Sequence, residues 1–376
     1  MMKTLEGKQV VLAVTGSIAA VETVRLAHAL RRKGAVVQGV MSPAACGILH
    51  PDALTAATGS EVITRCGGTI EHVLWCGEKG RADLLLIAPC TANTVGKIAC
   101  GIDDTCVTTF ATTAIGTGIP VLVAPAMHAT MFRHPAVAKN LGTLTAWGIG
   151  VIPPRIEEGR AKIADIDTIV LHAERALLGK PLAGKRVLVT SGPCREAVDD
   201  VRVLTTRSSG AMGRAIAVQA FRLGADVTVV HADTIPCVTN VFAENATQMR
   251  EQVLAHLMPP IDYYVSAAAI SDFAPVRYAG KLESGIPTSI TLQPLPKLLD
   301  EVLARSTATT VAFKLGGQRQ EKAQQMLAAG AAMVVVNDPP VMGAPGGDFT
   351  FVTQSAQRNV RGTKEEVAAA LWAELL

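Results

Sequence analysis

The chain has 376 residues, 49% of them hydrophobic and only 4% aromatic, with 35 basic against 32 acidic side chains. That length predicts about two domains, and few aromatics beside many small and β-branched residues favour α/β layers over a β-sandwich. A net charge of +3 excludes the basic footprint of a nucleic-acid binder. No apolar run is long enough to span a bilayer, so neither nucleic acid nor membrane is expected as a partner.

Residues 1–8 are too polar for a signal peptide. Residues 9–16 (QVVLAVTG) are an apolar run ending in Gly16, a strand entering a turn. A helix is predicted over 19–33, stopped by Gly34, and a second strand over 35–42. Residues 84–89 (LLLIAP) and 120–125 (PVLVAP) are continuous apolar runs, as in parallel strands buried on both faces. A helix is predicted at 135–140. Around 177–185 (LLGKPLAGK) two Gly and a Pro separate a helix-like run from a fresh strand. This places a boundary near residue 181 and divides the chain into domains 1–180 and 181–376. The plan then repeats with a strand at 186–192 (RVLVTSG), a helix at about 212–223, Gly224, and a strand at 225–232 (ADVTVVHA). Strand, helix, Gly and strand make one βαβ unit, so an α/β chain of two Rossmann-like doubly wound domains is expected. More strands are predicted at 262–269, 309–315 and 331–337, and helices at 320–329 and 364–375. Eight cysteines (Cys46, Cys66, Cys76, Cys90, Cys100, Cys106, Cys194 and Cys237) contain no C-x2-C pair, against a zinc ribbon. They read as reduced thiols of a cytoplasmic protein.

Ligands of open α/β sheets bind beyond the carboxyl ends of the strands, where helix N-termini offer amides and a favourable dipole to phosphate. TGSIAA (15–20) follows a strand and opens a helix, so Gly16 and Ser17 are candidate phosphate holders. Ser42 ends the second strand. PCTANT (89–94) follows a third and opens another helix. Any one such junction reads equally as a plain helix cap, and no GxGxxG occurs in this half.

Taken together and in order, VTGSIAAVETVRLAHALRRKGA, TIEHVLWC, LLLIAPCTANTVGKIACGIDDT and PAMHATMFRHP resemble the homo-oligomeric flavin-containing cysteine decarboxylases, in the branch acting on phosphopantothenoylcysteine. The resemblance covers about residues 8–170. It implies a flavodoxin-like flavoprotein domain and a trimer with each flavin near a subunit interface. FMN would be held at Gly16, Ser17, Ile18, Ser42, Thr91, Ala92, Asn93 and Met127. His72, in the IEHV segment, matches the family's catalytic histidine. An α-carboxylate leaves easily only when its electrons have a sink. FMN can create one by oxidising the cysteine CH2–SH to a thioaldehyde, and the electrons return once carbon dioxide has left. A histidine of near-neutral pKa can shuttle the proton. The structural alternative for His72 is a buried, hydrogen-bonded histidine at a strand end. Two departures stand against the family pattern. Its PxMN motif reads PAMH, which puts His128 where an asparagine binds the substrate carboxylate; histidine also donates a hydrogen bond. The flap cysteine that donates a proton in bacterial members has no counterpart in residues 153–165 (PPRIEEGRAKIAD), leaving Glu157, Glu158 and Lys162 as candidates. Cys66 and Cys76 flank His72 in sequence, with a small buried hydrophobe as the alternative reading.

Residues 190–230, with SAAAISDFAP (266–275), GKLESG (280–285) and FKLGG (313–317), resemble the nucleotide-dependent phosphopantothenate–cysteine ligases over about 181–355. Decarboxylase before ligase is the order of the fused enzymes of coenzyme A biosynthesis. A carboxylate is a poor acyl donor. Transfer onto the α-phosphate of a nucleoside triphosphate activates it and releases pyrophosphate, which calls for cations over the phosphates and usually Mg2+. No Walker A sequence is present. SSGAMG (208–213), ahead of a helix, offers the amides of Ser208, Ser209 and Gly210. Arg202, Arg207, Lys281 and Lys297 are candidate charges, each with a solvated surface charge as the alternative. The resemblance makes Lys281 the key catalytic lysine, places Ala268, Ala269, Asp272 and Phe273 around the nucleotide, and assigns Arg202 to a substrate-binding strap; Lys297 is a nucleotide-binding candidate by its charge. There VRxIxN reads VRVLTT, so Thr206 takes the place of an asparagine tied to turnover of the acyl-nucleotide, and Ala211 replaces a common lysine. With Lys281 and AAAISDF intact, a rebuilt strap is expected. FKLGG leans towards archaeal members. CTP is the expected co-substrate, then ATP. Dimers of the second domain and trimers of the first would build a dodecamer.

Two rivals share the βαβ plan. A nicotinamide-dependent dehydrogenase needs GxGxxG and an acidic residue about twenty positions on, which neither GSIAAV nor SSGAMG supplies. A non-catalytic flavoprotein acting as a regulatory binding protein fits the missing flap cysteine and Thr206, but not His72 with a complete ligase half.

Overall fold

A computed structural model describes residues 2–157, 160–285, 287–316 and 319–376. Two compact units form, Met1–Gly179 and Lys180–Leu376.

In the first, β1 (Gln9–Val14), β2 (Val36–Met41), β3 (Leu84–Cys90), β4 (Val121–Pro125) and β5 (Gly150–Val151) make a parallel sheet in the order β2-β1-β3-β4-β5. Alternate residues feed two cores. Val10, Leu12 and Val14 join Leu26, Leu30 and Ile169 from helices Thr23–Arg32 and Ile166–Leu177. Val11 and Ala13 join Val95, Phe110 and Leu144 from helices Ala92–Ala99, Cys106–Thr117 and Pro135–Ala146. Burial on both faces is why these strands are apolar without alternation. A short antiparallel hairpin, β6 (Arg155–Glu157) with β7 (Arg160–Lys162), precedes the last helix.

The helix expected over 19–33 is broken into a 3-10 turn, Ile18–Glu22, and an α-helix, Thr23–Arg32. The Ala20 carbonyl accepts both the N–H and the hydroxyl of Thr23, the latter at 2.6 Å. It is therefore satisfied three residues on rather than four, which is the 3-10 pattern. The helix expected at 135–140 runs on to Ala146, because Leu141 and Leu144 continue its buried face.

The second unit holds β8 (Arg186–Thr190), β9 (Arg195–Ala197), β10 (Val203–Thr205), β11 (Asp226–His231), β12 (Thr239–Phe242), β13 (Tyr263–Ser266), β14 (Phe273–Pro275), β15 (Leu292–Pro294), β16 (Thr309–Leu315), β17 (Met333–Asn337), β18 (Gly346–Val352) and β19 (Gln357–Thr363). Eight of these form one sheet, β12-β11-β8-β13-β16-β17-β18-β19. Six strands run parallel, and β18 and β19 close that edge antiparallel. The remaining four make two small ribbons, β9–β10 and β14–β15. The last two strands of the large sheet escaped the sequence reading because β18 opens on Gly-Gly-Asp and the exposed β19, QRNVRGT, has no apolar run. The strand expected over 262–269 stops at Ser266, where the chain crosses towards β8 and the Ala269 N–H donates to the Gly192 carbonyl at 2.9 Å.

Helix Lys364–Leu375 packs on helix Ala211–Arg222 through Trp372. Its ring is fully buried, its Nε1–H donates to the Ile216 carbonyl at 3.1 Å, and it meets Tyr263 edge-on with centroids 5.3 Å apart. Trp372→Ala removes that packing and the indole hydrogen bond. It is expected to destabilise the second unit by about 3–5 kcal/mol, read as a lower urea midpoint; an unmoved midpoint contradicts this placement.

Candidate active sites

At the carboxyl edge of the first sheet, neighbouring strand ends are tied together by hydrogen bonds. The Thr15 hydroxyl donates to the Pro89 carbonyl at 2.8 Å and accepts from the Thr91 N–H at 3.0 Å, joining β1 to β3. The Ser42 N–H donates to the Val14 carbonyl at 3.0 Å, joining β2 to β1, and the Ala126 N–H donates to the Cys90 carbonyl at 3.0 Å, joining β4 to β3. Gly16, Ser17, Ser42, Thr91 and Met127 therefore stand along one edge, at the point where strand order reverses. Ser17, Ser42 and Thr91 are each an N-cap, accepting from Ala19, Ala45 and Thr94 respectively. Ala92 and Asn93 open the helix after β3, and Ile18 projects into solvent, 78% exposed. Gly16 is required sterically, since a Cβ there would lie 2.5 Å from the Ala44 Cβ.

His72 is not at a strand end. It lies in the first turn of the short helix Glu71–Cys76, which packs on helix Cys106–Thr117. Its Nδ1 is buried and has no hydrogen-bond partner among the described residues, an exception to the rule for buried polar atoms. Of the flanking thiols, Cys76 is fully buried, and Cys66 reaches the Cys106 Sγ at 2.9 Å. His128 is exposed and caps helix Ala129–Phe132. Its Nδ1 accepts the Thr130 N–H at 3.4 Å and lies 2.8 Å from the Thr130 hydroxyl. A backbone N–H only donates, so Nδ1 accepts, and in the neutral ring Nε2 carries the proton. In the flap segment Glu157 ends β6 and Lys162 ends β7, while Glu158 lies outside the described residues.

The second unit contains a cavity of about 640 Å3 at the carboxyl edge of its sheet. Thr206, Ser208, Ser209, Gly210, Ala268, Ala269, Asp272 and Lys297 all line it. The helix after the SSGAMG turn sits tightly on β8, because a Cβ on Gly213 would lie 2.5 Å from the Ser191 Oγ. Sequence reading missed Lys314, Lys322, Lys364, Asp300 and Asn337 in the wall. FKLGG carried a signal for Lys314; nothing local marked the others.

Lys281, Arg202 and Phe273 do not line that cavity. Lys281 and Phe273 are exposed. Arg202 is engaged elsewhere, its guanidinium donating to the Asp199 carboxylate and to the Leu282 carbonyl at 3.4 Å. Asp199 is the hub of this arrangement. Its buried carboxylate accepts the N–H groups of Leu282 at 3.0 Å, Val201 at 2.8 Å and Arg202 at 2.6 Å. The Asp200 N–H donates to the Gly280 carbonyl at 3.1 Å. Both neighbours of Lys281 are thus bonded to the strap. Arg207 is exposed beside it.

The family described as Flavoprotein matches residues 2–177, and the DNA/pantothenate metabolism flavoprotein C-terminal domain matches residues 182–376. The coenzyme A biosynthesis bifunctional protein CoaBC of Thermococcus kodakarensis is 43% identical over 387 aligned positions, spanning 99% of this chain and 96% of that protein. The chain belongs to this family. Proteins of the same name from Methanocaldococcus jannaschii and Vibrio vulnificus are 37% and 33% identical, across 80% and 81% of this chain and 74% and 79% of theirs. As a member, it is a bifunctional enzyme of coenzyme A biosynthesis that joins a phosphopantothenoylcysteine decarboxylase to a phosphopantothenate–cysteine ligase.

In this family member the Asp199 hub makes a pH prediction. The Leu282 N–H, then those of Val201 and Arg202 and the Arg202 guanidinium, hold its carboxyl far below the aspartate range against the opposing effect of burial. A folded pKa below the unfolded one gives a contribution that is full above the unfolded value of about 4 and is lost as pH falls through the folded value. Beyond the intrinsic pH dependence, amide exchange at Leu282, Val201 and Arg202 should therefore stay slow at neutral pH and speed up as pH falls below about 4, a dependence that Asp199→Asn should remove. An unchanged dependence in that variant would rule out the hub.

Proposed function

We propose that the second unit ligates 4'-phosphopantothenate to cysteine through an acyl-nucleotide, and that the first decarboxylates the product to 4'-phosphopantetheine with FMN. The observation that carries this reading is the pair of separate strand-edge cradles, each with helix-opening amides, hydroxyls and a glycine whose side chain would collide with the wall.

The residues of the first unit fit a flavin phosphate. Gly16 leaves room that a Cβ would fill, Ser17, Ser42 and Thr91 bring hydroxyls, and Ala92 and Asn93 open a helix. When bound there, FMN supplies a two-electron acceptor that makes carboxylate loss possible without an external oxidant. His72 moves the proton, through a buried ring nitrogen that no described protein group occupies. His128 presents its Nε2–H to the substrate carboxylate, with the ring held by its cap to Thr130. Glu157 and Lys162 are the described candidates for the later protonation.

In the ligase unit, Ser208, Ser209 and Gly210 face a triphosphate, with Lys297 adding charge and Ala268, Ala269 and Asp272 flanking it. CTP is proposed as the nucleotide, with ATP as the comparison. Among the described residues no group of three or more His, Cys, Asp or Glu side chains forms a metal site. Mg2+ commonly binds through one or two carboxylates plus phosphates, and Asp272 and Asp300 in the wall suit that mode. Arg202 on the strap and Lys281 on the neighbouring arm act on the reacting carboxylate, and Thr206 replaces the strap asparagine. The proposal includes trimers of the first unit, dimers of the second and a dodecamer; exposed Ile70, Val73 and Leu74 around His72 are apolar surface for such an interface to cover. It also includes a cytoplasmic location. No described helix is long and apolar enough to cross a membrane.

Phosphopantothenate, cysteine and Mg2+ with CTP or ATP test the whole reading through pyrophosphate and carbon dioxide. His72→Asn should retain the yellow flavin while carbon dioxide release falls about 10²- to 10⁴-fold; full release would remove its role. Lys281→Gln should suppress pyrophosphate and spare decarboxylation of supplied phosphopantothenoylcysteine. Equal loss of both activities would contradict two separate sites.

A further inference from the structure

Strand β19 runs in the same direction as β17, since both pair antiparallel with β18. It therefore delivers the chain to the carboxyl edge of the sheet, where helix Lys364–Leu375 begins. That helix lies beside helix Ala211–Arg222. The helix start is already closed by a capping box. The Glu366 N–H donates to the Thr363 hydroxyl oxygen at 3.3 Å, and the Thr363 N–H donates to the Glu366 carboxylate at 2.7 Å. Its free amides are thus not what a ligand would meet.

The side chain of the first helical residue is a different matter. Lys364 lines the 640 Å3 cavity together with Ser208, Ser209 and Gly210. It is 8% exposed, and it is the one lysine among the described residues that is buried. Its backbone N–H donates to the Pro345 carbonyl at 3.1 Å, but no carboxylate or other acceptor pairs with its ammonium among the described residues. The stem of the side chain is buried while its ammonium opens onto the cavity, as long basic side chains commonly do. Burial alone pushes its pKa down, with no anion working against it. Lys297 and Lys322 in the same wall are exposed and Lys314 is half-buried. A cation that faces the cavity without an acidic partner, in the wall that also holds the Ser208–Gly210 turn, is placed for an anion that arrives with the substrates.

We infer that Lys364 anchors a phosphate group in the ligase cavity whose wall it shares with the Ser208–Gly210 turn. This deepens the proposed ligase reading and rests on it. The phosphate belongs either to the nucleoside triphosphate or to the 4'-phosphate of the pantothenate substrate, and the two sources separate kinetically.

The test uses the full chain with Lys364→Gln, Lys364→Met and Lys364→Arg, following pyrophosphate while each substrate is varied in turn. Loss of one charge-assisted contact predicts a rise of about ten- to hundredfold in one KM for Gln and Met, with Arg restoring most of it. A rise confined to CTP places the triphosphate at Lys364; a rise confined to phosphopantothenate places the 4'-phosphate there. A second measurement is independent of turnover. Tripolyphosphate, or 4'-phosphopantothenate in a parallel series, should raise the urea midpoint of the wild-type second unit. Lys364→Met should lose that increase while keeping an apolar stem in the wall. Unchanged KM values, or an anion-induced midpoint shift of wild-type size in Lys364→Met, overturn the inference. Failure of the wild-type chain to form pyrophosphate with either nucleotide instead defeats the ligase reading beneath it.

Discussion

Both units depend on how closely a helix start can approach the end of a parallel strand. A parallel sheet leaves its carboxyl edge lined with strand ends whose backbone groups need partners, and the following helix brings amides that need them too. Where the two come within van der Waals contact, a concave and polar rim is created. Gly16 against Ala44 sets that distance in the first unit and Gly213 against Ser191 in the second; each leaves no space for a Cβ. A larger residue at either position would push the helix start away and open the rim to water. The same steric requirement therefore yields two cradles on two unrelated stretches of chain.

Their surroundings differ in how they treat charge. The first edge is held by neutral partners, with Thr15, Ser42 and Thr91 joining neighbouring strand ends or helix starts. The phosphate proposed to bind there would meet hydroxyls and amides. The second cavity carries Lys297, Lys314, Lys322 and Lys364 against Asp272 and Asp300. That excess of positive charge suits a polyanion whose turnover releases pyrophosphate. Lys281 and Arg202 are organised apart from the wall, around the buried Asp199 carboxylate. Because Asp199 bonds both the strap and the arm next to Lys281, the position of one constrains the other.

Much of the fold was legible because buried parallel strands have an unambiguous signature. The runs at 10–14, 84–89, 187–189 and 333–336 contain no polar residue that would suggest an edge. What was not legible lay at the periphery. β19 is polar and exposed, so no periodicity distinguishes it from a loop. The 3-10 turn at Ile18–Glu22 depends on where the Thr23 hydroxyl points. His72 sits on a helix too short to produce a pattern, behind Ile70 at φ 46°. The flap candidate Glu158 lies outside the described residues, and Glu157 is placed only as the end of β6.

The sequence by itself determined the two βαβ plans, the helix-opening turns and the residue types that must line them. Periodicity and small-residue placement are local, and local packing rules translate them directly. Only the tertiary structure decided which charges share a space. It brought Lys364 within the same wall as Ser208 from far along the chain, placed Lys281 and Arg202 on the Asp199 hub outside that wall, and left the His72 Nδ1 buried without a partner. Burial and pairing of a charge depend on what neighbouring elements bring to it, and no window along the chain contains those elements.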